Sequence, residues 1–78
     1  MPTVTVIGPY RFFFYSSDRT EPAHIHVERD RCTAKFWLSP VSLERSKGFA
    51  DHELLKLQRL VEDHEALFLE KWHEYFGA

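Results

Sequence analysis

The chain has 78 residues, of which 44% are hydrophobic and 28% charged, and its formal net charge is −2. This length suits one domain and is too short for two, and a pI near 6.2 is not typical of a bulk nucleic-acid binder. Cys32 is the single cysteine, which excludes an internal disulfide framework. The sequence contains no signal-peptide pattern and no apolar run of membrane-spanning length. We therefore predict a cytoplasmic protein that makes no membrane contact.

The first half of the sequence has the composition of a β-sheet. Thr3–Ile7 is short and rich in β-branched residues, which favours a strand, and Gly8–Pro9 would end it. The aromatic run Tyr10–Ser16 predicts a second strand. Ser17–Pro22 is polar, and because Pro22 disfavours helix at the preceding residue, this segment is predicted to be a loop.

Two further strands follow from alternation of apolar and polar residues. His24–Arg29 and Cys32–Leu38 both alternate with the period of a half-buried strand. Asp30–Arg31 lies between them and predicts a two-residue turn. Ser39–Pro40 would end the second strand, and a short edge strand over Val41–Leu43 is a further candidate.

The second half has helical periodicity. Apolar residues and His64 recur every three or four positions without an interrupting Pro or Gly, which is one face of a helix. Asp51 is the predicted N-cap and Gly77 the residue that ends the helix, with a bend expected near Asp63–Glu65. His64 is predicted to be a partly buried, hydrogen-bonded side chain.

These patterns together predict a single α+β domain over residues 1–78. A small antiparallel sheet of three to five strands would occupy about residues 3–43, and one long amphipathic helix would pack on it over about residues 51–76.

The predicted turn also determines which side chains share a face of the sheet. Val27 would lie opposite Ala34 and Ile25 opposite Phe36, on the face toward the helix. The other face is predicted to be open to solvent. Its side chains would be Arg11, Phe13, Tyr15, His24, His26, Glu28, Thr33, Lys35 and Trp37.

One interpretation of this outer face is a metal site. His24 and His26 are two positions apart on one strand, so their side chains leave the same side about 6.5–7 Å apart. A carboxylate such as Glu28 or Asp18 could be the third ligand. The sequence does not fix that third ligand, and we assign no cofactor from it.

A second interpretation is a metal-independent ribonuclease. His24 and His26 would act as general acid and base, because imidazole titrates near neutral pH. Lys35 or Arg11 would stabilise the charge that develops on a phosphodiester, and Tyr15 would lie nearby.

A third interpretation is a binding face without catalysis. Arg11, Trp37 and Glu28 would join the histidines in contacting a partner protein, a second copy of the chain, or RNA. The simplest alternative is a solvent-facing strand whose polar side chains have no role.

Six short segments, in this order and at compatible spacing, resemble the bacterial domain-of-unknown-function 4160 family. The resemblance extends from about Phe12 to Gly77. Members of the family commonly have Pro-Pro-His where this chain has Pro22-Ala23-His24, and often have Gly in the turn at Asp30-Arg31. The matching segments are Pro22-Ala23-His24-Ile25-His26-Val27, Ala34-Lys35-Phe36-Trp37-Leu38-Ser39-Pro40-Val41, Gly48-Phe49, Glu53-Leu54, Leu60-Val61 and Trp72-His73-Glu74-Tyr75-Phe76-Gly77.

The resemblance implies a small bacterial domain of undefined activity. Members are often encoded beside another small protein in a layout like that of toxin–antitoxin pairs, which implies a partner protein and, less directly, chemistry on RNA. The leading hypothesis from the sequence is therefore an interaction module of a toxin–antitoxin type. Its contact surface would be the face of His24, His26, Lys35 and Trp37, or the second side of the helix.

Overall fold

The computed structural model describes residues 3–77, and the remaining residues of the predicted domain, 1, 2 and 78, lie outside this range. The chain forms an antiparallel sheet whose five strands lie side by side in chain order, followed by two helices. This arrangement confirms the predicted α+β class. The elements are β1 (Thr3–Ile7), β2 (Tyr10–Phe13), β3 (His24–Arg29), β4 (Cys32–Leu38), β5 (Val41–Lys47), α1 (Asp51–Asp63) and α2 (Glu65–Phe76).

Short turns join most neighbouring strands. The two-residue connections are Gly8–Pro9, Asp30–Arg31 and Ser39–Pro40. Asp30 has a φ of 56°, a left-handed conformation that Asp tolerates better than most residues. The connection from β2 to β3 is longer and contains a 3₁₀ helix over Ser16–Thr20. This longer connection brings polar side chains back over the sheet.

The register of β3 and β4 confirms the predicted core face. Val27 lies opposite Ala34 and Ile25 opposite Phe36. Each fully buried apolar side chain contributes about 1.5–3 kcal/mol relative to exposure, so this core is the main source of stability. Its least exposed side chains, at 1% or below, are Phe12, Phe14, Ile25, Val27, Phe36, Leu38, Leu57, Val61 and Phe68.

The prediction of one long helix is wrong, because the helix breaks at His64. This residue has φ −113° and ψ 15°, and it ends α1 and precedes α2. Its Nδ1–H donates to the Leu60 carbonyl at 2.8 Å, and such a side-chain bond competes with the backbone ladder of the helix. The break lies where a bend was expected, and His64 is half-buried as predicted.

The ends of the helical region agree partly with the sequence analysis. Gly77 ends α2 with a φ of 70°, as a residue in the left-handed conformation does at many helix ends. Asp51 is the first residue of α1 and not its N-cap, which is Ala50. Among residues 3–77, neither helix is long and apolar enough to cross a lipid bilayer.

Two strands differ in length from the prediction. β2 ends at Phe13 and does not reach Ser16, since the Tyr15 backbone N–H donates to Asp18 Oδ2 and the chain turns away. β5 continues to Lys47, well beyond the predicted end at Leu43. The sheet is therefore larger on the β5 side than the sequence suggested.

Candidate functional site

The outer face of the sheet, away from the core, carries side chains in rows that cross the strands. Phe13 pairs with His26, His26 with Lys35, and Lys35 with Arg45, so these four side chains share a face. A parallel row consists of Arg11, Glu28, Thr33 and Lys47.

A β-bulge determines which residues of β5 join these rows. Phe36 pairs with Leu43, whereas the next residue, Lys35, pairs with Arg45, so Glu44 is an extra residue on β5. In an unbroken ladder Lys35 would face Glu44. The bulge instead places Arg45 opposite Lys35 and Lys47 opposite Thr33. Bulges commonly re-aim side chains in this way.

The outer face was predicted to be open to solvent, and this prediction is wrong for its central residues. His24 is 0% exposed, His26 8% and Lys35 6%. The connection after β2 covers them, with the Tyr15 ring 4.7 Å from the His26 ring, and Trp72 of α2 lies 5.0 Å from the His24 ring. These central residues of the outer face are therefore buried, although they lie outside the main core.

Asp18, His24 and His26 form a buried cluster within this covered region. The 3₁₀ helix carries Asp18, which is 6% exposed, over the start of β3. The Nε2 atoms of both histidines lie 3.1 Å from Asp18 Oδ2. One ligand-type atom from each of the three residues lies within 4.8 Å of the others.

The tautomer of His24 follows from its hydrogen bonds. Nδ1 lies 2.8 Å from the Pro22 carbonyl oxygen, so Nδ1 carries the proton and donates it. Nε2 is buried and, within residues 3–77, makes no hydrogen bond, despite its short distance to Asp18. In the neutral ring Nε2 therefore has a lone pair without a partner among the described residues, close to a carboxylate oxygen but not hydrogen-bonded to it.

His26 is held as a neutral side chain by its surroundings. Burial lowers the pKa of its imidazole, and the nearby Asp18 carboxylate opposes this only in part. Its ring also stacks on Phe13 at 5.4 Å. A neutral imidazole is the form that binds metal ions.

The other predicted site residues occupy distinct positions. Lys35 Nζ donates to Glu21 at 2.5 Å, which lowers the pKa of Glu21, and it lies over the Trp37 ring. Glu28 pairs with Arg11 and is not part of the histidine cluster. Of the two carboxylates considered as a third metal ligand, the structure thus brings Asp18 to the histidines.

A pocket of about 260 Å³ opens beside the cluster. Tyr15, His26 and Lys35, all singled out from the sequence, line it, whereas His24 does not. Arg45 and Lys47 also line it and were missed, because β5 was predicted to end at Leu43. The strand-like run after Pro40 was the available signal, but the bulge that orients it has no evident sequence mark.

The fold and the cluster define a class: a small α+β domain with two histidines and one carboxylate buried against the outer face of a sheet. The family model described as Domain of unknown function (DUF4160) matches residues 10–73, so the chain belongs to this family. No curated protein and no solved structure matches the chain significantly.

Proposed function

We propose that this protein binds a divalent transition-metal ion through Asp18, His24 and His26. The observation that carries the proposal is the buried His24 Nε2, which has no hydrogen-bond partner among residues 3–77 and lies 3.1 Å from Asp18 Oδ2. A buried polar atom without a partner costs about 1–3 kcal/mol. A cation between the nitrogen and the carboxylate would remove this cost.

The spacing of the three side chains supports the proposal. With metal–ligand bonds of about 2.0–2.1 Å, two ligand atoms of a tetrahedral zinc site lie about 3.3 Å apart. The two distances of 3.1 Å from the histidine nitrogens to Asp18 Oδ2 are close to this value. The three ligand atoms span up to 4.8 Å, so the two imidazoles would have to move closer together to share one ion.

The surroundings of His24 also support the proposal of a metal site. Histidine ligands usually donate their second N–H to a carbonyl or carboxylate, which fixes the ring and its tautomer. The hydrogen bond from Nδ1 to the Pro22 carbonyl has this arrangement. Two imidazoles and one carboxylate suit borderline ions such as Zn²⁺, and three protein ligands leave a coordination position open.

Metal titration of tag-free protein tests the proposal. Competition with a chromophoric chelator should show one Zn²⁺ bound per chain, and Co²⁺ should give visible absorption bands. Asp18→Asn keeps the size of the side chain and an acceptor for the Tyr15 N–H. It should weaken metal binding by more than roughly 10–100-fold, which is the usual effect of losing a residue that only hydrogen-bonds to a metal ligand.

His73→Ala is the matched control, because His73 is exposed in the last turn of α2. This variant should bind Zn²⁺ as the parent does. Folded parent protein that binds no ion at one equivalent, or an Asp18→Asn variant with unchanged affinity, would contradict the proposal.

Partner binding and ribonuclease activity stay predictions. Burial of His24, His26 and Lys35 removes most of the exposed surface on which both depended, and His24 does not line the pocket. Partner binding keeps support from Leu55 and Tyr75, apolar helix residues that are 64% and 44% exposed. Pull-down from the native host, with Leu55→Glu for comparison, tests that prediction.

A further inference from the structure

The pocket beside the histidine cluster has a cationic wall in a chain of net negative charge. Lys35, Arg45 and Lys47 line it, and none of its lining residues within the described range is acidic. The formal net charge of the whole chain is −2. The local concentration of positive charge is therefore a property of this pocket and not of the overall composition.

The β-bulge at Glu44 creates this wall. Without the extra residue, Glu44 and Ser46 would face Lys35 and Thr33, so the wall would gain one carboxylate and lose one arginine and one lysine. With it, Arg45 and Lys47 join Lys35 on the outer face. Bulges are frequent beside binding and active sites, where they aim side chains at a ligand.

Much of this positive charge is free to meet a ligand. Lys47 forms no ion pair with any residue between 3 and 77, and Arg45 contacts only its neighbour Glu44, at 3.6 Å, with 72% of its side chain exposed. Such exposed pairs are weak. Lys35 is paired with Glu21 at 2.5 Å, so its charge is largely neutralised, and the charge available to a ligand comes mainly from Arg45 and Lys47.

We propose that this pocket binds a phosphate group carried by a small molecule, in contact with Arg45 and Lys47. Arginine matches two phosphate oxygens with its planar fork, and lysine adds a point charge. The volume of about 260 Å³ is below the roughly 300–1,000 Å³ of drug-sized ligand sites, which suits a phosphate monoester.

The proposal deepens the proposed function and rests on it in one respect. His26 belongs both to the pocket lining and to the candidate metal cluster. A phosphate oxygen could therefore reach the open coordination position of a bound ion. The cationic wall itself does not depend on a metal.

Titration with inorganic phosphate tests the inference, by calorimetry on chelator-treated protein and by absorption on Co²⁺-loaded protein. We expect binding in both forms, tighter with the ion, and a change in the Co²⁺ bands. Arg45→Gln and Lys47→Gln should each weaken phosphate binding roughly tenfold, the effect of losing one charged hydrogen bond. Adenosine 5′-monophosphate should bind more tightly than inorganic phosphate, because the proposed ligand is a phosphate ester.

Arg59→Gln is the control, because Arg59 is an exposed residue of α1. This substitution removes one positive charge, as the other two do, but outside the pocket lining. Equal weakening by Arg59→Gln would overturn the proposal, as would the absence of phosphate binding in both forms. If Co²⁺ binds and phosphate does not, the metal proposal stands and this one fails. If phosphate binds and Co²⁺ does not, the phosphate proposal stands and the metal proposal fails.

Discussion

His26 is a titratable residue placed in the interior, and its protonation is linked to folding. Burial lowers the pKa of its imidazole below the usual 6.5, against the opposing effect of Asp18. The unfolded chain therefore takes up this proton at a higher pH than the folded chain does. Between the two pKa values the unfolded state binds more protons, so the free energy of unfolding falls as the pH falls.

We predict that urea denaturation of chelator-treated protein shows stability decreasing from pH 7 to pH 5. The slope from one group cannot exceed about 1.4 kcal/mol per pH unit. His26→Gln should show a flatter profile over this range. The pKa values of Glu21 and Glu53 lie below the usual 4.5, so their contributions disappear only at lower pH. A His26→Gln profile as steep as that of the parent would disagree with this assignment.

At the scale of elements, β5 shows how local conformation places functional side chains. The strand ends at Lys47 and is followed by Gly48, which has a φ of 92°. A Cβ at this position would lie 2.9 Å from Cys32 Sγ. The end of the strand that carries Lys47 is thus packed closely against the start of β4.

We predict that Gly48→Ala destabilises the fold by about 1–3 kcal/mol, through strain at positive φ and the contact with Cys32. Gly8→Ala is the matched comparison, because Gly8 has a φ of 58° and a Cβ there would meet nothing within 4 Å. Thermal unfolding should show the larger loss for Gly48→Ala. Equal losses would mean that the contact with Cys32 contributes nothing.

Alternation along β3 and β4 was sufficient to predict their bounds and cross-strand pairs, because a two-residue turn leaves one register that buries Ile25 and Val27. The break at His64 was harder to predict, since it lies within an otherwise regular apolar stripe and is accompanied by only one side-chain hydrogen bond. The bulge at Glu44 depends on how a whole strand pairs with its neighbour, which no local pattern shows.

At the scale of the whole molecule, the candidate site joins segments that are separate in the unfolded chain. Asp18 comes from the connection between β2 and β3, whereas His24 and His26 come from β3 itself. The histidine pair could be recognised from the sequence, but the choice of Asp18 over Glu28 required the path of the connection. The ring of His24 also contacts Trp72, which lies far along the chain.

We predict that Zn²⁺ raises the stability of the parent protein. An ion that binds only the folded state at 100 times its dissociation constant adds about 2.7 kcal/mol. The unfolding midpoint should therefore rise with Zn²⁺ concentration and return when a chelator is added. Asp18→Asn should show no rise at the same concentrations, and a rise equal to that of the parent would place the bound ion elsewhere.

The contacts of the His24 ring have a practical consequence. The chain has two tryptophans, and the rings of both Trp37 and Trp72 lie near this imidazole, at 5.6 and 5.0 Å. All of the indole emission of the protein therefore originates beside the candidate metal ligands. A paramagnetic ion such as Cu²⁺ bound there should quench nearly all of the tryptophan fluorescence. The fluorescence of the unlabelled protein should therefore show whether the candidate metal site holds such an ion.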